Sequence, residues 1–352
     1  MIDAARRGWI YQTGGSGAYL ALRARAPELR RIDVDDAVAQ DELLILTGVR
    51  GCTFLVPRAE GPIARVAWKA RVEDAVEKLG PFGLDVPQLR TLCDEIEDIA
   101  SEPVDPAAIR KRARSIQEVD APRFGLKNTL PLAIRVLEAE GRLTRLPARG
   151  RLDDERYRWR VSTPTTIDAD DAARELVRSF VAATAPTATA HMAAWLDVGA
   201  KAAAQRLADC GARETADGWR VDDVNGGTDD RVHFLPLRDP LIDLRTPSLV
   251  PEGSEDTVVD GWGTKPTTIG RQPTVHHHTI VWRNAIVGLW EWADDRLVAG
   301  FFGPPPPHWK DEAAAVERWI RDELGDVFVY AQDGAAQRRR RTVVVRELAS
   351  RR

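Results

Sequence analysis

Residues 105–161 decide the fold: DPAAIRKRARSI at 105–116, NTLPLAIRVLEAEG at 128–141, RLTRLP at 142–147 and RYRWRV at 156–161. Asp105 followed by Pro106 is a helix start, because the carboxylate can cap free amides and the proline's missing N–H costs nothing in the first turn. It predicts a helix from Ala107 to Ile116. After a loop containing Pro122 and Gly125, Asn128 or Thr129 opens a second helix. Leu130, Ala133, Ile134 and Leu137 recur every three or four residues and predict its buried stripe. Arg135 and Glu138 fall on the opposite face, and Gly141 ends the helix. Arg142 to Pro147, a turn through Gly150 and Asp153-Asp154, and Arg156 to Val161 predict a hairpin. Strand side chains alternate, so Tyr157, Trp159 and Val161 are expected inward, with Arg156, Arg158 and Arg160 along one outer edge. Helix, helix, basic hairpin is the order of a winged helix, whose second helix enters the major groove while the wing meets phosphates.

Working outward, the same order recurs more weakly on both sides. Residues 33–40 read as a helix, followed by strands at 43–49 and 52–57 around Gly48 and Gly51. Downstream, 170–184 is an amphipathic helix, Pro186-Thr187-Ala188-Thr189 opens a short one to Trp195, and Ala200 to Cys210 gives another. A hairpin at 212–221 turns through Asp217-Gly218. Residues 230–345 read as β-rich, with strands at Val275–Trp282, Ala285–Trp292 and Arg296–Phe302, a helix at 310–324, and strands near 326–332 and 341–347. The expected fold class is α+β: tandem winged helix-turn-helix units, three in number, and a β-rich C-terminal region. The expected division is 1–80, 81–165, 166–228 and 229–352.

Charge supports a nucleic-acid partner on one surface only. The chain of 352 residues carries a net charge of −4, yet residues 110–160 hold fourteen Lys/Arg against seven Asp/Glu. That local excess of seven positive charges leaves −11 for the rest, a segregation suited to meeting phosphates with one face. The alternative is a solvated charge cluster. An apolar fraction of 43% is enough for real cores. No apolar run is long enough to span a bilayer, and the first ten residues have no apolar leader segment. Three scattered cysteines without CxxC spacing predict free thiols in a reducing cytoplasm, with nucleoid association if DNA is bound.

Other chemistry is weaker. Gly14 to Gly17 is not followed by Lys-Ser/Thr, which argues against a nucleotide loop. His276-His277-His278 is expected on a strand with half-exposed imidazoles. Only alternate residues share a face there and no further ligand stands at the right spacing, so no metal site and no cofactor are expected. His191 lies one helical turn from Trp195, which suits packing. Arg338 to Arg341 follow an expected Asp333-Gly334 turn and, on a strand, split between two faces; phosphate contact and a solvated terminal hairpin both fit them. Gln12 cannot act as a base, since an amide takes no proton near neutral pH, but it can orient a water. It can equally satisfy backbone groups of the turn that follows.

The run WIYQTGGSGAYLALRAR at 9–25 resembles the AlkZ-like DNA glycosylase family of winged-helix proteins, which shows a glutamine motif followed by an aromatic, small and aliphatic run ending in arginine. VRGCTFLVP at 49–57 is similar to that family's first wing. FLPLRDP at 234–240, with the strands between Val275 and Trp290, is similar to its Leu-Pro-x-x-Asp-Pro segment and Gly-x-Trp strand. The resemblance implies three tandem winged helices, C-shaped around a channel for double-stranded DNA, and excision of alkylated or cross-linked bases. It implies a catalytic role for Gln12. The family's motif is glutamine, a spacer, then glutamine or aspartate; here Gly14 stands at the second polar position, and Phe54 stands where histidine is common. DNA contacts are expected from Arg50, Arg135, Arg142, Arg145, Arg156, Arg158 and Arg160. Three readings follow: a monofunctional glycosylase, a non-catalytic DNA-binding protein or regulator, and a protein-interaction scaffold.

Overall fold

The computed structural model describes residues 1–6, 9–12, 15–122, 125–154, 156–221, 230–259, 266–272, 274–328 and 334–351, with only the backbone at 244–248. The chain divides into two compact units, Asp36–Val221 and Asp3–Asp35 with Asp222–Arg352.

In the unit 36–221, strand Leu43–Thr47 is buried along its whole length and pairs antiparallel with Thr53–Pro57, Ile45 opposite Leu55. Its other edge meets strand Leu143–Pro147 at Ile45 and Arg145, and that strand pairs with Tyr157–Val161. Helices Gly61–Leu79 and Val86–Ile99 add to the elements expected from the sequence. The second of these is capped by the Asp85 carboxylate on the Gln88 amide and buries Leu89, Leu92, Cys93, Ile96 and Ile99, a stripe at helical spacing.

Helix Pro106–Arg112 starts at Asp105 as expected, its carboxylate accepting from the Ala108 amide at 2.8 Å, but stops short of Ile116. The cause is Glu95, whose carboxylate takes the amides of Arg114 and Ser115 at 2.8 and 3.1 Å and so competes with another helical turn. The loop beyond contains a small hairpin, Glu118–Ala121 with Leu126–Asn128. Helix Leu130–Ala139 is entered through Asn128, whose side chain accepts from the Leu130 amide, and left through Gly141 at φ 74°. Its expected stripe is buried. Glu138, expected on the opposite face, is only 7% exposed because Arg145 and Trp159 both bond to it. Val161, expected inward, is exposed.

One backbone device occurs twice. Val104 exchanges both hydrogen bonds with Trp159, at 2.9 and 2.8 Å, tying the chain ahead of helix Pro106–Arg112 to the return strand of the hairpin. Thr187 does the same with Trp219, at 2.9 and 2.8 Å. The second set comprises helices Ala169–Thr184, Thr189–Leu196 and Ala200–Asp209 and the hairpin Arg213–Thr215/Gly218–Arg220. Gly218 is required here: a Cβ would stand 2.9 Å from the Thr187 carbonyl oxygen, at a φ of 130°.

The other unit is built on an antiparallel sheet in the order His233–Leu235, His278–Trp282, Ala285–Ala293, Arg296–Phe301. Helices Gly17–Arg25, Trp309–Trp319 and Ala335–Ser350 belong to the same unit. Several expectations are corrected. The segment 341–347 is helical, not a strand, and so are Arg338 to Arg341. Gly300 lets that helix approach the sheet, since a Cβ would lie 2.5 Å from the Val345 carbonyl oxygen, and Arg341 is buried on Glu291 at 2.8 Å. Of the strand expected at 326–332, residues 329–332 lie outside the described residues, as does Asp333; 327 and 328 are in no strand. His277 and His278 are fully buried rather than half-exposed, and the strand begins only at His278.

Candidate nucleic-acid interface

The expected DNA-contacting arginines separate into two groups. Arg50, Arg135, Arg156 and Arg158 are exposed. Arg50 sits in the turn between the first two strands at φ 57°, Arg135 on helix Leu130–Ala139, and Arg156 and Arg158 at the return strand of the hairpin. Arg156 lies 3.7 Å from Asp154, a loose pair in water. Arg135 and Arg158 have no ion pair among the described residues.

Arg142, Arg145 and Arg160 are engaged within the fold. Arg142 bonds to Glu97, Glu140 and Asp94, and these carboxylates hold its guanidinium above its ordinary value, the Glu97 bonds contributing most. Arg145 makes a fork on Glu138 at 2.9 and 3.0 Å, with its guanidinium carbon 5.2 Å from the centre of the Tyr157 ring. Its side chain is 14% exposed. Arg160 reaches Asp41 at 2.6 Å. The turn of the hairpin likewise answers its own charge: Arg149 lies on Asp154 and Arg151 on Asp153. Sequence reading missed Lys127, exposed on the small hairpin ahead of helix Leu130–Ala139; its signal was a lone cation between Gly125 and the helix start.

Gln12 follows the two-residue strand Ile10–Tyr11 and is 3% exposed. Gly14, the departure from the family's motif, lies outside the described residues. The run that follows is structural. Ser16 donates its amide to the Phe328 carbonyl and receives the Phe328 amide on its hydroxyl. Tyr19 and Arg31 both bond to Asp35, and Arg23 meets Glu312 at 3.2 Å. Arg25, the last residue of the run, forks onto Asp239 at 2.7 and 2.8 Å. Asp239 is fully buried and caps helix Pro240–Leu249 through the Leu241 amide. Burial opposes the Arg25 charge, but Asp239 outweighs it and raises the guanidinium's pKa. The Arg25 of the first motif and the Asp239 of the Leu-Pro-x-x-Asp-Pro segment are thus two halves of one clamp.

Among the described residues no group of three His, Cys, Asp or Glu side chains is placed to bind a metal ion. Burial, then Arg341 and His276, pushes His277 down to about 3, and His278 is lowered by the same kind of surroundings. The Nδ1 of His278 accepts the Leu237 amide at 2.8 Å, which requires a neutral ring with its proton on Nε2.

The model of the DNA glycosylase AlkZ-like family matches residues 10–324. The chain belongs to this family. Its structure is similar to that of Streptomyces sahachiroi DNA glycosylase AlkZ, with a TM-score of 0.64, 14% identity, and coverage of 93% of this chain and 91% of that one, a likeness of fold. No curated protein matches the sequence. Family membership supports DNA binding and the DNA glycosylase class. No helix among the described residues is long and apolar enough to cross a membrane.

Proposed function

We propose that the chain binds double-stranded DNA through winged-helix units and is a monofunctional glycosylase that excises alkylated or cross-linked bases. The observation that carries this is the family match over residues 10–324. In this reading residues 86–161 and 169–220 are two winged helices, each with its strand–hairpin bridge, and 31–57 contributes to a third. Arg50, Arg135, Arg156 and Arg158 meet phosphates, because they are the expected contacts left exposed. Arg142, Arg145 and Arg160 shape the hairpin that presents Arg156 and Arg158.

Breaking an N-glycosidic bond needs a positioned water and stabilisation of an oxocarbenium-like sugar. Alkylation at N7 or N3 makes the base cationic and a good leaving group, so a water oriented by the Gln12 amide suffices without a strong base. A second reading, DNA binding without catalysis, is favoured by Gly14 at the second polar position and by the burial of Gln12.

Incubation with duplexes carrying N7- or N3-alkylated bases, followed by alkaline strand scission, separates the two. We expect abasic sites with the intact protein and loss of at least tenfold in rate with Gln12→Ala. Duplex binding with no release from any lesion would establish the second reading, and activity untouched by Gln12→Ala would remove Gln12 from the chemistry.

A further inference from the structure

Helix Gly61–Leu79 carries an arginine on its buried side. Arg65 is 8% exposed, and neither a hydrogen bond nor an ion pair to protein links its guanidinium to any described residue; its Nε is fully enclosed without an acceptor. This is the opposite of Arg142, Arg145 and Arg160 in the same unit, each of which meets a carboxylate. An unpaired buried charge is costly unless something answers it.

The surroundings leave room for an answer. The guanidinium lies between two glycines: a Cβ on Gly61 would stand 3.0 Å from Nη1, and one on Gly141 would stand 3.2 Å from it. Arg65 lines a cavity of about 190 Å³ together with Lys69, Thr165, Thr166, Glu140 and Ala169. That volume is below the roughly 300–1,000 Å³ of pockets for drug-sized ligands and suits one compact group. The acidic member is already engaged, since Glu140 bonds to Arg90 at 2.5 Å and to Arg142 at 3.1 Å. The carboxylate that acts electrostatically on Arg65 is Glu138, which is committed to Arg145 and Trp159. Lys69 is loosely placed, 3.8 Å from Glu73. Helix Ala169–Thr184 begins at the cavity, but Asp168 already takes its amides at 170 and 171, so the cation that an incoming anion meets is Arg65.

We propose that this cavity is an oxyanion site in which Arg65 binds a phosphate group, with Lys69 and the threonine hydroxyls at its mouth. The planar fork of a guanidinium matches two oxygens of a tetrahedral phosphate. Burial, partly offset by Glu138 and reinforced by Arg58, pushes the Arg65 pKa down to about 10, so the group is fully charged at neutral pH and a bound anion relieves its desolvation. The phosphate can come from solution or from a nucleic-acid backbone. The site does not depend on the glycosylase reading, because inorganic phosphate alone tests it.

The test is titration of the full chain with inorganic phosphate against chloride at equal ionic strength, read by calorimetry and by thermal unfolding. Saturable binding with a rise in Tm is expected for the wild type. Arg65→Met should weaken phosphate binding at least tenfold and abolish the phosphate-specific rise, while keeping or raising Tm in chloride. Lys69→Met, at a surface position that does not threaten folding, should weaken binding several-fold and decides the matter if Arg65→Met does not fold. Absence of phosphate-specific binding in the wild type, or the same binding in both variants, would overturn the proposal. A duplex oligonucleotide that displaces phosphate competitively identifies the backbone as the source; phosphate that stays bound beside the duplex identifies the free ion.

Discussion

Residues 86–161 and 169–220 repeat one layout: a long helix, a residue bridged to the return strand of a hairpin, two shorter helices, and the hairpin itself. In both, the bridged partner is a tryptophan, Trp159 in the first copy and Trp219 in the second. What differs is the chemistry beneath it. The indole N–H of Trp159 bonds at 2.9 Å to Glu138, which also holds Arg145. The indole N–H of Trp219 bonds at 3.0 Å to the hydroxyl of Thr189. The second copy is locked by apolar contact, with Phe180 stacked on Trp195 at 4.2 Å. Backbone shape is therefore common to the copies, and charge separates them. The first copy buries an ion pair in its hairpin, whereas the second hairpin carries Arg213 and Arg220 exposed; under the proposed function the phosphate contacts go to the first copy.

The largest expected effect breaks the comparison at its root. Glu138→Ala removes the carboxylate from a partly buried guanidinium and from an indole at once. It is expected to cost about 3 kcal/mol or more in denaturant unfolding, because a buried charge is left unpaired. An effect no larger than that of the corresponding change in the second copy would show that the two locks are equivalent.

A second difference involves pH. Burial pushes folded His277 down to about 3, below the ~6.5 of an exposed imidazole. As pH falls, the unfolded chain takes up the proton first. Stability from this group is therefore complete above ~6.5 and is lost toward 3, by up to about 1.4 kcal/mol per pH unit. His278 acts in the same direction. Hydrogen exchange, corrected for its intrinsic rate, is expected to quicken in strand His278–Trp282 between pH 7 and 5 before it does in the hairpins of either copy. Uniform exchange across the three regions would contradict this assignment.

The smallest effect is Thr189→Val, which removes one neutral hydrogen bond of Trp219 and is expected to cost about 1 kcal/mol. A loss comparable to that of Glu138→Ala would mean that the hydroxyl anchors the second copy as firmly as the ion pair anchors the first.

Sequence made one part of this visible and hid another, for identifiable reasons. Strand 157–161 is legible because aromatic and arginine residues alternate along it, and Asp105-Pro106 is legible because capping is local. Helix Val86–Ile99 had a readable signal in Asp85 and its five-residue stripe. Helix Gly61–Leu79 had none of comparable clarity, since its buried positions include two small residues and Arg65. Helix Ala335–Ser350 looked like a strand because Val343 to Val345 are β-branched, and tertiary contacts with Gly300 and Glu291 override that preference. The burial of Glu138 depends on partners at 145 and 159, beyond any helical period. The Arg25–Asp239 clamp joins positions 214 residues apart, and only the family resemblance drew attention to both motifs. Within the candidate site, sequence identified the basic residues but not which of them the fold consumes.

The most direct test of the account is the salt dependence of duplex binding. Plotting log K against log [salt] should give a steep negative slope for the wild type. Arg156→Ala/Arg158→Ala should make it shallower by about two while leaving stability within about 0.5 kcal/mol. The paired change Arg213→Ala/Arg220→Ala in the second hairpin should leave the slope unaltered. A slope unaffected by the 156/158 change, or one that falls equally with the 213/220 change, would contradict the assignment of DNA contact to the first copy.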